Sequence, residues 1–146
     1  MDTINSPRPP ILFVDDDPVA HELIKSYLKD WEIRSAYSGK DALEILGEES
    51  IKIVISDINM PGMDGLDLLR EIKRTRGIVQ VIIATATEQV QDLLGALEAG
   101  ANDFLLKPFR KDDVEEALEH TLLKLERWKG KMKDLFKKKK EIQNTG

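Results

Sequence analysis

IKIVISDINMPGMDG, residues 51–65, joins an apolar run, a single carboxylate and a sharp turn. The run is rich in β-branched residues, which is typical of a strand buried on both faces. Asp57 stands at the carboxyl end of this predicted strand, and Pro61-Gly62 then turns the chain into a helix that begins near Gly65. In an open α/β sheet, reactive groups collect at the carboxyl ends of the strands. A carboxylate placed there can bind a cation or act as a nucleophile.

Four further apolar runs lie on either side of this stretch and alternate with segments of helical periodicity. They predict strands at residues 11–14, 31–36, 79–84 and 104–106. The helix that follows the first strand begins at Pro18 after an Asp17 N-cap. The helix that follows the second is capped by Ser38, covers residues 38–46 and ends at Gly47.

Three of the predicted helices are assigned apolar residues that should face the core, and those of the helix that begins near Gly65 are Leu66, Leu68, Leu69 and Ile72. The last predicted helix, residues 112–125, has strong helical periodicity of its own. The helix before it ends at Gly100. The stripe residues of the first helix are Val19, Leu23, Ile24 and Leu28, and those of the fourth are Val90, Leu93, Leu94 and Leu97.

Strands and helices therefore alternate five times with short connections. This pattern predicts an α/β fold with a parallel sheet, right-handed crossovers and helices on both faces. The leading candidate is a flavodoxin-like, doubly wound (βα)5 three-layer sandwich with strand order 2-1-3-4-5. In that order the ends of strands 1, 3, 4 and 5 lie close together, and one crevice receives Asp15, Asp16, Asp57, Thr85 and Lys107.

The side chains expected in this crevice suit phosphoryl chemistry. Three neighbouring carboxylates repel one another, and a bound cation is the usual resolution. Hard oxygen ligands favour Mg²⁺, or Mn²⁺, over zinc. A hydroxyl from Thr85 and an ammonium group from Lys107 would add a hydrogen bond and a positive charge for a PO₃ group. Asp57, alone on the central strand, is the best nucleophile and would form an aspartyl phosphate. His21 and His120 fall on predicted helices away from the crevice, so we expect neither to take part.

Composition limits the classes of protein that the chain can represent. Its 146 residues are 41% hydrophobic, enough for the core of one domain with an extension. The sequence contains no cysteine, which excludes disulfides, zinc–thiolate sites and thiol catalysis. No stretch approaches the roughly 20 apolar residues of a membrane span. We therefore expect a cytoplasmic protein.

Charge is distributed unevenly along the chain. Residues 124–141 hold nine basic and three acidic residues, a net charge of +6, so the rest must carry −11 to give the total of −5. Two seven-residue apolar series in this region predict a short coiled coil or signalling helix, which Gly130 weakens. Direct nucleic-acid binding is not expected, because a solvated basic helix accounts for residues 137–140. The two series are Leu118, Leu125 and Met132, and Trp128, Leu135 and Ile142.

Four motifs in the chain resemble the receiver domain of two-component response regulators. VDDDP follows the first strand, SDINMPGMDG contains Asp57, ATA follows the fourth strand and FLLKPF contains Lys107. They stand in the order and at the spacing of that family, and the match covers roughly residues 10–126. By this resemblance, residues 1–9 are a disordered lead-in, 10–126 the receiver domain and 127–146 a basic helical extension or linker.

The resemblance also implies a role for each residue of the crevice. Asp57 would be the phosphoacceptor, and Mg²⁺ would be held by Asp57, by Asp16 directly, by Asp15 mainly through water and by the backbone carbonyl of Asn59. Lys107 would pair with the phosphoryl group. The remaining implied features are the switch residues Thr85 and Phe104 and a cis peptide bond at Lys107–Pro108.

A receiver of this kind would act as a phosphorylation-activated switch in a phosphorelay. The donor would be the phosphohistidine of a sensor histidine kinase or of a histidine phosphotransfer protein. Phosphorylation would remodel the face formed by the fourth helix, fifth strand and fifth helix, and so control a downstream effector or output domain. A homodimer would form through that face or through the C-terminal helix. Enzymatic activity would be limited to self-catalysed phosphorylation and slow autodephosphorylation.

Two other functions are alternatives, one that shares the nucleophile chemistry and one that shares the fold. An Mg²⁺-dependent phosphohydrolase could use Asp57 on exogenous substrates, although the sequence lacks a cap insertion and VDDDP is a poor match to the DxD context of haloacid-dehalogenase-like enzymes. A flavodoxin-like flavin carrier would need a phosphate-binding loop after the first strand. Three aspartates at that position would repel the phosphate.

Overall fold

The structure, a computed structural model, describes residues 8–86 and 90–144, without the side chain of Asn144. Within these ranges, five strands form one parallel sheet in the order β2-β1-β3-β4-β5. The strands are β1 (Ile11–Val14), β2 (Ile33–Ala36), β3 (Ile53–Ser56), β4 (Gln80–Thr85) and β5 (Asp103–Leu106). The helices are α1 (Pro18–Tyr27), α2 (Gly39–Glu48), α3 (Gly65–Thr75), α4 (Val90–Glu98) and α5 (Lys111–Asn144). The predicted flavodoxin-like sandwich and its strand order are confirmed.

Two hydrophobic clusters, one on each face of the sheet, form the core. Because side chains alternate along a strand, Leu12 and Val14 of β1 point to one face while Ile11 and Phe13 point to the other. The first face packs against α2, α3 and α4, and the second packs against α1 and α5. The inner strands β1 and β3 are therefore buried on both sides, which explains why they are apolar runs, whereas the edge strand β2 holds Arg34 and Ser35 and is mostly half-buried.

The register of the sheet brings the ends of four strands to one edge. Val14 of β1 pairs with Ser56 of β3, and Ser56 pairs with Ile83 of β4. Thr85, the last residue of β4, pairs with Leu106 of β5. The residues that follow these strands consequently emerge on the same side of the molecule.

Several predicted boundaries differ from the structure by one or two residues, since β4 spans Gln80–Thr85 and β5 begins at Asp103. The second strand begins at Ile33, two residues later than predicted, and α2 ends at Glu48, beyond the predicted stop at Gly47. Gly47 does not have a positive φ, so it continues the helix, and Glu49 forms the C-cap with its N–H on the carbonyl of Ile45. Gly100, by contrast, has a φ of +104° and follows the end of α4.

The predicted apolar stripes of α1 and α4 are wrong in part. Val19 and Leu23 of α1 are exposed, and Ile24 and Leu28 are buried as predicted. In α4 the large residues are turned outward, and the helix instead buries Ala96. A small residue there lets the helix lie close to the sheet. The exposed α4 residues of the predicted stripe are Val90, Leu94 and Leu97.

Helix α5 is much longer than the predicted 112–125 segment. It has 34 residues, begins at Lys111 and runs through Gly130 to Asn144 without a break. Every described side chain from Glu126 to Gln143 is exposed. The predicted lead-in at residues 1–9 lies outside the described residues except for Arg8 and Pro9.

Candidate functional site

Asp57 is held at the end of β3 by a tight loop. Its N–H donates to the carbonyl of Val14 at 2.9 Å, which extends the pairing of β3 with β1. One carboxylate oxygen accepts the N–H of Asn59 at 3.3 Å, and only 8% of the residue is exposed. The N–H of Gly65 closes the loop on the carbonyl of Ile58 at 2.7 Å. A Cβ at Gly65 would clash with the carbonyl oxygen of Asp57, so glycine is required at this close approach.

The three aspartates that follow β1 have two roles: Asp17 caps a helix, and Asp15 and Asp16 belong to the acidic cluster. Asp17 caps α1 by accepting the N–H of Val19 at 3.0 Å, as predicted. Asp15 is almost fully buried, with 1% exposure, and its carboxylate accepts the N–H of Asp17 at 2.9 Å. Asp16 is exposed. Carboxylate oxygens of Asp15, Asp16 and Asp57 lie within 4.8 Å of one another.

Lys107 reaches into this acidic cluster from the end of β5. Its N–H donates to the carbonyl of Thr85 at 2.9 Å, and the Lys107–Pro108 peptide bond is cis, as the resemblance implies. The ammonium Nζ lies 2.8 Å from Asp15 Oδ2 and 3.5 Å from Asp57 Oδ2. The lysine therefore bridges the two buried carboxylates and bonds more closely to Asp15.

Burial and charge work in opposite directions on these groups. Burial raises the pKa of Asp57, Lys107 opposes this rise, and the neighbouring charge of Asp15 adds to it. Burial alone would lower the pKa of Lys107, but its hydrogen bond to Asp15 and the charges of Asp57 and Asp15 outweigh that effect and raise the pKa. The raised pKa of Lys107 favours the charged ammonium group, whereas burial opposes ionisation of the Asp57 carboxyl group.

Thr85 and Phe104 occupy neighbouring strands beneath this edge of the sheet. Thr85 is fully buried at the end of β4. Phe104 lies on β5, pairs with Ile83 and is half-buried against the core cluster that contains Val81 and Ile83. Both residues are therefore in the region that the sequence predicts, one at the strand end and the other two positions deeper in the register.

His21 is a functional candidate that sequence reasoning missed. We expected it to lie away from the crevice, but its buried Nε2 donates to the carbonyl of Asp15 at 2.7 Å. The ring packs edge-on against Phe13 and is tilted against Tyr37, with centroids at 4.8 and 4.2 Å. A signal was available, since residues 21, 24 and 28 follow helical spacing and form the stripe that α1 buries. His120 is exposed on α5.

The family model for the response regulator receiver domain matches residues 11–119, which include every site residue described above. The chain belongs to the response regulator receiver family. This receiver is 39% identical over 115 residues to the chemotaxis protein CheY of Bacillus subtilis, a match that covers 77% of this chain and 96% of CheY.

Larger regulators match the receiver over only part of their length. Over 114 residues it is 39% identical to the transcriptional regulatory protein ZraR of Salmonella typhimurium, with 77% of this chain and 26% of ZraR covered. The match to the transcriptional regulatory protein MalR of Bacillus subtilis covers 48% of that protein. The receiver thus spans between a quarter and a half of these two relatives.

A solved receiver structure has the same architecture. The response regulator receiver domain protein from Clostridium thermocellum is 32% identical, with a TM-score of 0.75, and the alignment covers 84% of this chain and 98% of that one. The comparisons lend no support to the phosphohydrolase alternative. Within the described residues, no helix combines the length and apolar character that crossing a bilayer requires.

The acidic cluster of the receiver has the donor chemistry of a hard divalent cation. Carboxylate oxygens are the ligands that Mg²⁺ prefers, and the cluster offers one from each of three aspartates. Three carboxylates meet one ammonium group in this cluster, so their negative charge exceeds what Lys107 neutralises. Burial, in addition, raises the pKa of Asp57. A bound cation would relieve this excess.

Proposed function

We propose that Asp57 of this receiver accepts a phosphoryl group and that the aspartyl phosphate is the signalling state. The observation that carries the proposal is the convergence of three carboxylates within 4.8 Å beside one ammonium group. The Lys107 ammonium nitrogen lies 3.5 Å from Asp57 Oδ2. A small movement of this side chain would bring it within hydrogen-bonding distance of an oxygen of an attached phosphoryl group. A carboxylate, a cation site and a fixed ammonium are the groups that phosphoryl transfer needs.

The proposed donor is a phosphohistidine of a sensor histidine kinase or histidine phosphotransfer protein. An Asp57 carboxylate oxygen attacks phosphorus, an O–P bond forms, and the N–P bond to the donor imidazole breaks. The nitrogen keeps the electron pair of that bond and takes up a proton, so the donor returns to neutral histidine. Lys107 stabilises the negative charge on the phosphoryl oxygens during transfer.

The proposed ligands of Mg²⁺, or of Mn²⁺ in its place, are the carboxylates of Asp15, Asp16 and Asp57 and the backbone carbonyl of Asn59. The cation would supply positive charge for the phosphoryl oxygens. Asp15 is buried, and its carboxylate is fixed by the N–H of Asp17 and the Lys107 ammonium. Its backbone is fixed by His21 at the carbonyl and by the carbonyl of Ala36 at the N–H. Asp16 is exposed and free to adjust to a hydrated ion. This mixture of rigid and adaptable ligands supports the assignment.

We further propose that Thr85 and Phe104 carry the change from Asp57 to the surface. Thr85 would bind the phosphoryl group through its hydroxyl, and Phe104 would turn into the space that the loop after β4 vacates. The face of α4, β5 and α5 would then bind an effector, an output domain or a second copy. Its exposed leucines, two on α4 and one on β5, support this role because exposed apolar side chains are available to a partner. They are Leu94, Leu97 and Leu106.

We propose the same division of the chain that the sequence suggested, and no chemistry beyond the phosphorylation and dephosphorylation of the domain itself. Residues 10–126 form the receiver and residues 127–146 a basic extension or linker, which is helical as far as Asn144. The domain acts as a switch that catalyses its own phosphorylation and slow dephosphorylation, and it does not turn over exogenous phosphoesters. We place it in the cytoplasm, in keeping with a sequence that contains no cysteine.

The intact mass of the protein after incubation with acetyl phosphate and Mg²⁺ tests the assignment of Asp57. We expect the parent protein to gain one phosphoryl group and to lose it on treatment with base, since acyl phosphates hydrolyse readily. Asp57→Asn should gain none. The matched control is Asp67→Asn, which alters an exposed carboxylate on α3 and should be modified like the parent. Equal modification of Asp57→Asn and the parent would refute Asp57 as the acceptor.

A further inference from the structure

We propose that the exposed apolar face on the C-terminal half of α5 is a docking surface for an acidic amphipathic helix of a partner protein. This surface is distinct from the face of α4, β5 and α5 that the proposed switch would remodel. The inference does not depend on phosphorylation at Asp57. The exposed residues of the docking surface are Trp128, Met132, Leu135 and Phe136, and Leu125, half-buried against the core, lies at its start.

The docking surface continues the side of α5 that packs on the sheet. Leu118 is buried in the core, and Leu125 and Met132 follow it at intervals of seven residues. Seven residues return an α-helix to nearly the same side, so the core-facing side extends past the end of the domain. Trp128 and Leu135 are 47% and 67% exposed on this extended side. Contiguous exposed apolar surface of this kind marks an interaction site.

The spacing of these residues is that of a coiled-coil seam. Leu125 and Met132 take the first apolar position of successive heptads, and Trp128 and Leu135 take the second, three residues later. Ile142 continues the second series by spacing. One position of the first series is Lys139, a polar residue of the kind that fixes register in coiled coils. The pattern favours a helix as the occupant.

Charge then selects the kind of helix. Lysines border the apolar seam on both sides: Lys124, Lys131 and Lys138 precede successive seam residues on one side, and Lys129 lies on the other. These are the positions that form interhelical ion pairs in coiled coils. A partner helix that places Glu or Asp at its own flanking positions would pair with them.

The acidic residues of this segment lie away from the two borders of the apolar seam, so neither border carries a negative charge. Glu126, Asp134 and Glu141 fall on the side of the helix away from the seam, at about 100° per residue. The segment from 124 to 141 therefore has a net charge of +6, and none of its acids is at a position where it could pair across the seam.

The same charges disfavour pairing between two copies of this chain. In a parallel pair, the two Lys139 ammonium groups would face each other in the seam, and Lys124 would oppose Lys129 of the other copy. Like charges at these positions destabilise a coiled coil. The structure therefore favours a heteromeric partner over the homodimer through the C-terminal helix that the sequence suggested.

An anionic bilayer is the competing occupant, and two features weigh against it. Lys139 lies in the middle of the apolar seam, where membrane insertion would bury its charge. The rest of the chain carries a net charge of −11 and would be repelled from an anionic surface. Neither feature opposes an acidic helix, which can place a carboxylate opposite Lys139.

The test uses the full chain and a synthetic helical peptide of about three heptads with Leu at the seam positions and Glu at the flanking positions. We expect saturable binding by calorimetry at about 0.15 M salt, accompanied by a blue shift of Trp128 fluorescence as the ring leaves water. The Trp128→Phe variant assigns the shift, because Trp31 is the other tryptophan. A peptide with the same composition but scrambled seam positions should not bind.

Two charge-reversal variants test the register of the borders. Lys131→Glu with Lys138→Glu should weaken peptide binding by about tenfold or more, because repulsion replaces attraction on one border. Arg127→Glu with Lys137→Glu makes the same change in net charge on the side away from the seam and should bind nearly as the parent does. Far-UV circular dichroism of both variants checks that α5 stays helical.

Several results would overturn the proposal. One is absence of peptide binding, and another is an equal loss in both double variants, which would show attraction by net charge alone. Binding to phosphatidylglycerol vesicles, with no binding to the peptide, would identify the bilayer as the occupant. A dimer of the parent in sedimentation that Leu135→Glu abolishes would identify a second copy.

Discussion

Asp57 is charged in a place that favours the neutral carboxyl group. Its side chain is buried, it lies beside Asp15, and Lys107 offsets only part of the resulting cost. In the absence of a cation, the native state is therefore less stable with the Asp57 carboxylate charged than with it neutral. This balance can be measured through the pH dependence of stability.

We predict that Asp57→Asn stabilises the protein in EDTA at neutral pH. The native pKa of Asp57 is raised above its ordinary value of 3.8, so the native state binds this proton more tightly than the unfolded state. The parent protein consequently loses stability as pH rises from about 3.8 through the native pKa, and the variant does not. The difference in unfolding free energy should widen across that window and then stay constant.

Denaturant unfolding in EDTA at a series of pH values checks this prediction, with Asp67→Asn as the control. Addition of Mg²⁺ should reverse the order, because a cation that binds the native parent stabilises it by mass action. A stability gap that narrows as pH rises would contradict the sign of the Asp57 shift.

At the residue scale, the sequence predicted which groups meet but not how they bond. The turn residues after each strand placed Asp15, Asp57 and Lys107 at one edge, because strand order alone determines which ends converge. The sequence could not predict that the Lys107 ammonium lies closer to Asp15 than to Asp57, because these distances depend on side-chain rotamers. His21 was missed for a related reason. His21 was expected to lie away from the crevice, and its partner is a backbone carbonyl, which leaves no mark in the sequence.

At the scale of elements, the junction between β3 and α3 is the tightest part of the site. The first residue of α3, Gly65, lies against the backbone of the loop that carries Asp57, with an added Cβ falling 2.6 Å from Cα of Ile58. The loop and the helix start are thus packed backbone to backbone. Any side chain at this glycine must move the loop that carries Asp57.

We predict that Gly65→Ala destabilises the protein by about 1–3 kcal/mol, the usual cost of overpacking, and slows phosphorylation by acetyl phosphate. The matched control is Gly47→Ala in α2, where an added Cβ meets nothing within 4 Å. That substitution should stabilise the protein by about 0.5–1 kcal/mol, since alanine is the better helix residue. Chemical denaturation and the initial phosphorylation rate measure both effects, and equal stabilities of the two variants would contradict the close approach at Gly65.

Helix and strand positions were predictable because periodicity and turn residues agree along most of the chain. The orientation of two helices, α1 and α4, was less predictable. Leucines on α4 and Leu23 on α1 were assigned to the core by spacing, but both helices are anchored by other residues, Ala96 and His21. A small residue and a polar residue carry little weight in a hydrophobic pattern. The apolar surface thus left on α4 is the surface that we propose for output.

At the scale of the whole molecule, α5 belongs to two environments. Val114 and Leu118 anchor its first part in the core, whereas every described side chain from Glu126 to Gln143 is exposed. Charge follows the same division, since the basic segment begins where burial ends. The residues before the extension should therefore fold into the receiver without it. The extension should remain exposed and available to bind a partner.

We predict that a chain ending at Glu126 keeps the free energy of unfolding of the parent within about 0.5 kcal/mol, the range of surface changes. Its rate of phosphorylation by acetyl phosphate should also be unchanged, because Asp57 and its neighbours lie on β1, β3 and β5 and the loops that follow them. Helical circular dichroism should fall by the contribution of residues 127–144, and binding of the acidic peptide should be lost. A loss of more than about 1 kcal/mol in unfolding free energy would instead show that the extension packs on the receiver, and that residue 126 is not its boundary.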